Sequence, residues 1–176
     1  MNNIILCGFM GSGKTTIGRA IARISGMEFL DTDTEIERES GMAIPEIFSR
    51  YGEDAFRDLE HETIAALRRR IRCVVSTGGG ALTYPRNIAQ LDHAHDLVVF
   101  LDVPFETCYA RIRDTDRPIV RRSTPEELRA LFEKRRTSYL AAARLATPAA
   151  GTAEQTAQEI LEAFEKQRAA SPLKTS

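Results

Sequence analysis

The octapeptide Gly8-Phe9-Met10-Gly11-Ser12-Gly13-Lys14-Thr15 fits G-x-x-x-x-G-K-[ST], a pattern whose chemistry is the capture of polyphosphate. Glycines at 8, 11 and 13 allow positive φ and let the backbone approach a ligand without a Cβ in the way. The exposed N–H groups then face phosphate oxygens, and the dipole of a following helix favours an anion there. Gly11, Ser12, Gly13, Lys14, Thr15 and Thr16 are therefore the expected contacts to a nucleoside triphosphate. Lys14 is placed to reach the β- and γ-phosphates, and the Thr15 hydroxyl to ligate Mg²⁺. A plain glycine-rich turn would share the spelling but would not require the flanks. Here Ile4-Ile5-Leu6-Cys7 reads as a buried strand, and Ile17, Ala20, Ile21 and Ile24 recur at helical spacing.

Further groups have types and spacings suited to phosphoryl transfer. Asp31 and Asp33 stand at the end of an expected strand, Met27-Glu28-Phe29-Leu30, where open α/β sheets bind ligands. Two carboxylates so spaced can divide the work, one towards Mg²⁺ and one towards an acceptor hydroxyl, or they can cap the next helix. Asp102 ends another apolar strand and is a rival metal carboxylate, although the following Val103-Pro104 and helix favour a structural cap. Gly78, Gly79 and Gly80 at a strand end offer backbone N–H groups to an anion or a sugar-like hydroxyl. Arg57 and Glu60 are three apart, which fits either a helix surface pair or a carboxylate that holds an anion-binding guanidinium. Arg135 shares a helix stripe with Leu128, Leu131 and Tyr139, so it faces inward and needs an anion partner. Arg117 lies in a segment poor in apolar side chains, placed as a lid arginine that closes over phosphates.

Strands alternating with helices must position these groups, which implies an α/β fold with a parallel sheet covered on both faces. Strands are expected at 4–7, 27–30, 73–76 and 97–101, with a weaker one at 145–147. Helices are expected from Lys14 to a stop at Gly26, over 34–39, from Pro45, over 53–70, from Tyr84-Pro85 to about 91, and from Pro104 to about 113. Thr124-Pro125-Glu126-Glu127 is a capping box opening a helix to about Ala143, and Thr152-x-x-Gln155 opens the last one. The reading is a single domain over 1–168, with a lid at about 112–124 and a disordered tail at 169–176.

With 176 residues, 43% hydrophobic and 28% charged, the chain suits one soluble domain, and a net charge of −1 favours neither nucleic acid nor an anionic membrane as partner. Cys7, Cys73 and Cys108 lack metal or disulfide spacing and read as reduced thiols. No apolar run reaches the ~20 residues of a membrane span and no leader precedes the first strand, so the expected location is cytoplasmic. An Asn-Lys-x-Asp segment for guanine is absent. A small-acceptor kinase is the natural class.

The motif set as a whole resembles the shikimate kinase family. The carrying residues are the P-loop through Thr16-Ile17-Gly18-Arg19, Asp31-x-Asp33, Phe56-Arg57-x-x-Glu60, Gly78 to Gly80, Arg117-Pro118 and Arg135-x-x-x-Tyr139, spanning residues 1 to about 145. The resemblance implies a three-layer P-loop fold with a five-stranded parallel sheet of nucleoside-monophosphate-kinase type, usually monomeric. It implies transfer from ATP to the 3-hydroxyl of shikimate, on the route to chorismate and the aromatic amino acids. Asp33 would bind the acceptor hydroxyl as base or orienter. Arg57 and Arg135 would clamp the shikimate carboxylate, and Gly78, Gly79 and Gly80 would line its pocket. Lys14 and Arg117 would stabilise the phosphoryl group, Thr15 and Asp31 would hold Mg²⁺, and Arg111 would stack on adenine. Thr137-Ser138 stands where the family commonly has Pro-Leu, and 146–151 lacks a recognisable adenine-loop motif. The competing readings are another small-metabolite kinase, such as a gluconate kinase, and a nucleotide-dependent regulatory module without an acceptor.

Overall fold

The computed structural model describes residues 2–170. Three apolar runs form its centre: β1 (Ile4–Cys7), β3 (Cys73–Ser76) and β4 (Leu97–Leu101), every residue of which is buried. Strands with no polar alternation need cover on both faces, and a parallel sheet between helices supplies it. The partly exposed β2 (Glu28–Asp31) and β5 (Leu145–Thr147) take the edges. The order is β2-β3-β1-β4-β5, all parallel, with Ile4 opposite Val74 on one side and Leu97 on the other. The chain thus leaves β1 between two neighbours reached by opposite crossovers, the switch point at which such sheets bind ligands.

Helix α1 (Lys14–Ser25) follows β1 and packs against the last helix, α8 (Ala153–Ala170). Helices α2 (Thr32–Ser40) and α3 (Ile44–Ala66) form a side unit with its own small core of Ile36, Ile47 and Phe56. Three short elements follow: α4 (Pro85–Ile88), α5 (Phe105–Ile112) and α6 (Pro118–Arg121). Helix α7 (Pro125–Ala142) opens with the expected capping box, Thr124 and Glu127 bonded reciprocally. Thr152 and Gln155 make the same pair of bonds before α8.

Several expected boundaries move. Asp31 belongs to β2, and α2 starts at Thr32. The helices expected from Pro45 and over 53–70 both lie in α3, and they are divided at Gly52, whose φ of 83° and ψ of 178° are not helical. Helix α3 ends at Ala66, so Arg68 and Arg69 lie in a single 3₁₀ turn. Arg68 there donates to the carbonyls of Ala89 and Gln90. Helix α4 stops at Ile88, short of 91. The lid segment contains the turn α6, begun by Pro118 at a position where its missing N–H costs nothing. Helix α8 runs to Ala170, and the rest of the expected tail, 171–176, lies outside the described residues. Among the described residues no helix is long and apolar enough to cross a membrane. Cys7, Cys73 and Cys108 are all free and buried.

Candidate active site

The phosphate loop takes its shape from its backbone. Gly8, Gly11 and Gly13 have φ of 148°, 79° and 94°. At Gly11 space is also required, since a Cβ would lie 2.7 Å from the carbonyl oxygen of Cys108. Gly13 caps α1 without a side-chain bond, leaving the first-turn N–H groups free to meet an anion. Lys14 is 8% exposed and donates from Nζ to the Gly8 and Phe9 carbonyls at 2.9 Å each. Burial lowers its pKa to about 8, against the pull of Asp33. Arg111 Nη1 donates to the Gly11 carbonyl at 2.8 Å, which fixes α5 beside the loop.

At the end of β2 the two aspartates separate. Asp31 is the N-cap of α2, its Oδ1 accepting from the Asp33 N–H at 3.1 Å, while its Oδ2 accepts from the Thr15 hydroxyl at 2.9 Å. Capping therefore holds for Asp31 but not for Asp33, which is the second residue of the helix's first turn. Burial pushes the Asp33 carboxyl up, Asp31 adds to the effect, and Lys14 and Arg117 oppose it. Ser76 Oγ lies 3.3 Å from the Thr15 hydroxyl. Asp102 is a correction: it makes no helix cap, and its two oxygens instead accept from Arg136 Nε and Nη2 at 2.8 and 2.5 Å, tying α7 to the end of β4.

The acceptor side is built from side chains. Arg57 and Glu60 are 9% and 1% exposed, so their 3.0 Å pair is internal and the surface-pair reading fails. Phe56 and Tyr84 flank the guanidinium, with ring centroids 5.1 and 5.2 Å away. Arg135 is buried on α7, as the helix stripe required, and among the described residues no carboxylate forms a salt bridge with it. The three glycines are there for space. A Cβ at Gly78 would meet Asp33 Oδ1 at 2.5 Å, and one at Gly80 would meet Arg57 Nη1 at 2.6 Å. The expected offer of three N–H groups is corrected at Gly78, whose N–H donates to Thr32 Oγ1 at 2.9 Å. The Tyr139 hydroxyl donates to the Gly79 carbonyl.

Two clefts result. One of about 620 Å³ is lined by Gly11 to Thr16, Asp31, Arg111 and the small residues Ala149, Gly151 and Ala153. The other, of about 400 Å³, is lined by Arg57, Glu60, Gly78 to Gly80 and Arg135, with Ile44, Pro45, Phe48 and Ile119 as an apolar wall. Met10, Asp33, Gly79 and Arg117 line both. A polyphosphate in the first cleft would thus meet an anionic acceptor in the second beside Asp33 and Arg117. Sequence reasoning missed the contacts of Thr32 and Ser76 and the apolar wall. Only the Pro45 helix start gave any signal for the wall.

Comparison with known proteins points to one family. The model of a family described as shikimate kinase matches residues 10–165. A shikimate kinase of Moorella thermoacetica is 43% identical over 138 residues, 78% of this chain and 79% of that one. One of Thermodesulfovibrio yellowstonii is 37% identical over 169 residues, 94% and 96% of the two chains. Among solved structures, shikimate kinase from Acinetobacter baumannii in complex with shikimate superimposes with a TM-score of 0.88 at 39% identity, covering 96% of this chain and 95% of that one.

Proposed function

This chain belongs to the shikimate kinase family, and we propose on that premise that it transfers the γ-phosphoryl group of ATP to the 3-hydroxyl of shikimate. The products are shikimate 3-phosphate and ADP, a step towards chorismate and the aromatic amino acids. The observation that carries the reading is the junction of the two clefts, where Asp33 and Arg117 face both the lysine of the phosphate loop and the cleft of Arg57 and Arg135.

In this reading the paired guanidiniums of Arg57 and Arg135 clamp the shikimate carboxylate, a bidentate task for which a planar fork suits better than an ammonium. That clamp orients the ring so that its 3-hydroxyl meets Asp33. Asp33 accepts the hydroxyl proton as the oxygen attacks phosphorus and the bond to ADP breaks. A carboxylate raised by burial is a better base than an exposed one, because its affinity for the proton is greater. Lys14 and Arg117 neutralise the charge on the transferring group, and the N–H groups of Gly11 to Thr16 hold the phosphates. Arg111 packs against the adenine, beside the small residues 149–153. Closure of the apolar wall over the ring keeps water from competing as acceptor.

Thr15 and Asp31 fit a Mg²⁺ ion, since a hydroxyl and a carboxylate 2.9 Å apart are hard oxygen donors of the kind that ion takes. When bound, the ion supplies further neutralisation of the phosphate oxygens. The remaining assignments are a single kinase domain over 1–168 with its lid at about 112–124, acting as a cytoplasmic monomer without nucleic-acid or membrane partners. A net charge of −1 supports the absence of such partners.

A coupled ADP-release assay with Mg-ATP tests the function, run alone, with shikimate and with gluconate. Strong stimulation by shikimate only is expected. Stimulation by gluconate would overturn the acceptor assignment, and stimulation by neither, with ATP still bound, would overturn the kinase reading.

A further inference from the structure

One carboxylate outside the transfer machinery serves two arginines with different tasks. Glu53 Oε1 accepts from Arg57 Nη2 at 3.1 Å, and its Oε2 accepts from Arg122 Nη2 at 3.2 Å. Arg122 closes α6, the turn whose first cap is Arg117, and the Val120 and Arg121 N–H groups, each bonded to the Arg117 carbonyl at 3.0 Å, join the two caps through one hydrogen-bonded turn. Glu53 itself begins the second half of α3, directly after the Gly52 kink and one helical turn before Arg57.

Arg57 does not need Glu53 for neutralisation. Glu60, almost fully buried, already faces Nη1 at 3.0 Å. A second carboxylate on an arginine that must hold an anionic acceptor weakens that hold by like-charge repulsion. Its presence calls for another task, and its outer oxygen supplies one. Burial raises the Glu53 carboxyl, but hydrogen bonds from Arg57 and Arg122 outweigh it and keep the group below its ordinary value, hence charged at neutral pH.

We propose that Glu53 is a positioning residue that ties the lid turn carrying Arg117 to the acceptor-binding Arg57. Shikimate, by fixing Arg57, fixes Glu53, and through Arg122 it fixes the turn that brings Arg117 to the γ-phosphate. The two substrates then bind with positive coupling, each tightening the other by the same factor. The inference rests on the shikimate kinase reading.

The test is calorimetric. The Kd of a non-hydrolysable ATP analogue with Mg²⁺ is measured with and without saturating shikimate, for the wild type, Glu53→Ala, Arg122→Ala and the double variant. The wild type is expected to tighten several-fold on adding shikimate. Each single variant loses most of that tightening while its Kd without shikimate stays within about twofold, a scale set by partly exposed ion pairs. The double variant loses no more than either single one. Arg122→Lys restores part of the tightening. Arg122 is half-exposed, so its variants report even if Glu53→Ala fails to fold. Undiminished tightening in either variant, losses that multiply in the double variant, or a wild type that turns over shikimate without any tightening would each overturn the proposal. A wild type that does not turn over shikimate at all would instead sink the functional reading beneath it.

Discussion

The phosphate end of the cleft comes from one continuous stretch, residues 8–15, and its shape is that of a backbone. The acceptor end comes from α2, α3, α7 and the loop after β3, and its shape is that of side chains meeting. Glycine marks the difference. Gly11 is needed because φ is 79° and the carbonyl of Cys108 crowds it, whereas Gly80 is needed because the guanidinium of Arg57 occupies the place of its Cβ. A local backbone cradle binds what every nucleoside triphosphate shares. Side chains gathered from distant elements bind what only one acceptor has. Generality is local, and specificity is tertiary.

The largest effects should come from the shared junction. Lys14→Ala is expected to lower kcat by about 10³-fold or more, since charge on the phosphates goes uncompensated at a buried site. Near-normal turnover in a stopped assay would remove Lys14 from the machinery. Asp33→Asn should lower kcat by roughly 10²–10⁴-fold while sparing ATP affinity, and an equal loss of ATP binding would make its role structural. Acceptor-side changes should be milder and selective. Arg135→Lys is expected to raise the shikimate KM by about 10–100-fold with little change in the ATP KM, because one fork contact is lost.

The pH dependence separates the ends again. Burial sets Lys14 at about 8, so in the free enzyme it loses its proton above that pH. Values of kcat/KM for ATP should fall about tenfold per pH unit above it, whereas bound nucleotide, being anionic, retains the proton and carries the fall in kcat to higher pH. A flat profile to pH 10 would contradict the buried, weakly basic lysine.

Smaller still is the paired glycine test. Gly80→Ala should raise the shikimate KM about tenfold with its melting temperature nearly unchanged, because a guanidinium can move. Gly11→Ala should instead cost about 1–3 kcal/mol of stability, because a carbonyl cannot. Reversal of those two outcomes would break the contrast between the ends.

The smallest effect lies away from both ends, below the sheet. Asp96 accepts from the N–H and the Nδ2 of Asn3 at 3.1 and 3.0 Å, and burial raises its pKa to about 6. The folded protein therefore binds more protons than the unfolded chain between about pH 4 and 6, and stability falls as pH rises through that window. Asp96→Asn keeps an acceptor oxygen without the charge. It should be more stable by roughly 1–2 kcal/mol above pH 6, with the gain gone below pH 4. Denaturant melts at both pH values would measure it.

Legibility in the sequence follows the same division. The P-loop, its strand and its helix could be read because each is local: glycines for φ, an apolar run, a helical period. The Thr124 capping box was equally plain. Arg135 was legible because a guanidinium at an apolar position is itself a signal. The partner of Asp102, by contrast, is Arg136 on another element, and no spacing joins them. The helix start at 53 was legible and Gly52 does interrupt the helix before it, but the packing of Ile47 and Phe56, one on each side of that break, against Ile36 was not. The use of the Gly78 N–H by Thr32 was likewise invisible, since it depends on β2 and β3 lying side by side.

The strand order has a consequence for how the protein is made. β1 leaves the ribosome before both of its neighbours, yet it lies at the middle of the sheet, opposite Val74 and Leu97. The nascent chain must therefore carry an unpaired Ile-Ile-Leu-Cys edge until β3 and β4 have been synthesised. An apolar strand so exposed is a site for pairing with other chains. Nor is the nucleotide cleft complete before Ala149, Gly151 and Ala153 have followed, well over a hundred residues after the loop. The phosphate loop is thus made well before the residues that complete its cleft, and it works only once they have arrived.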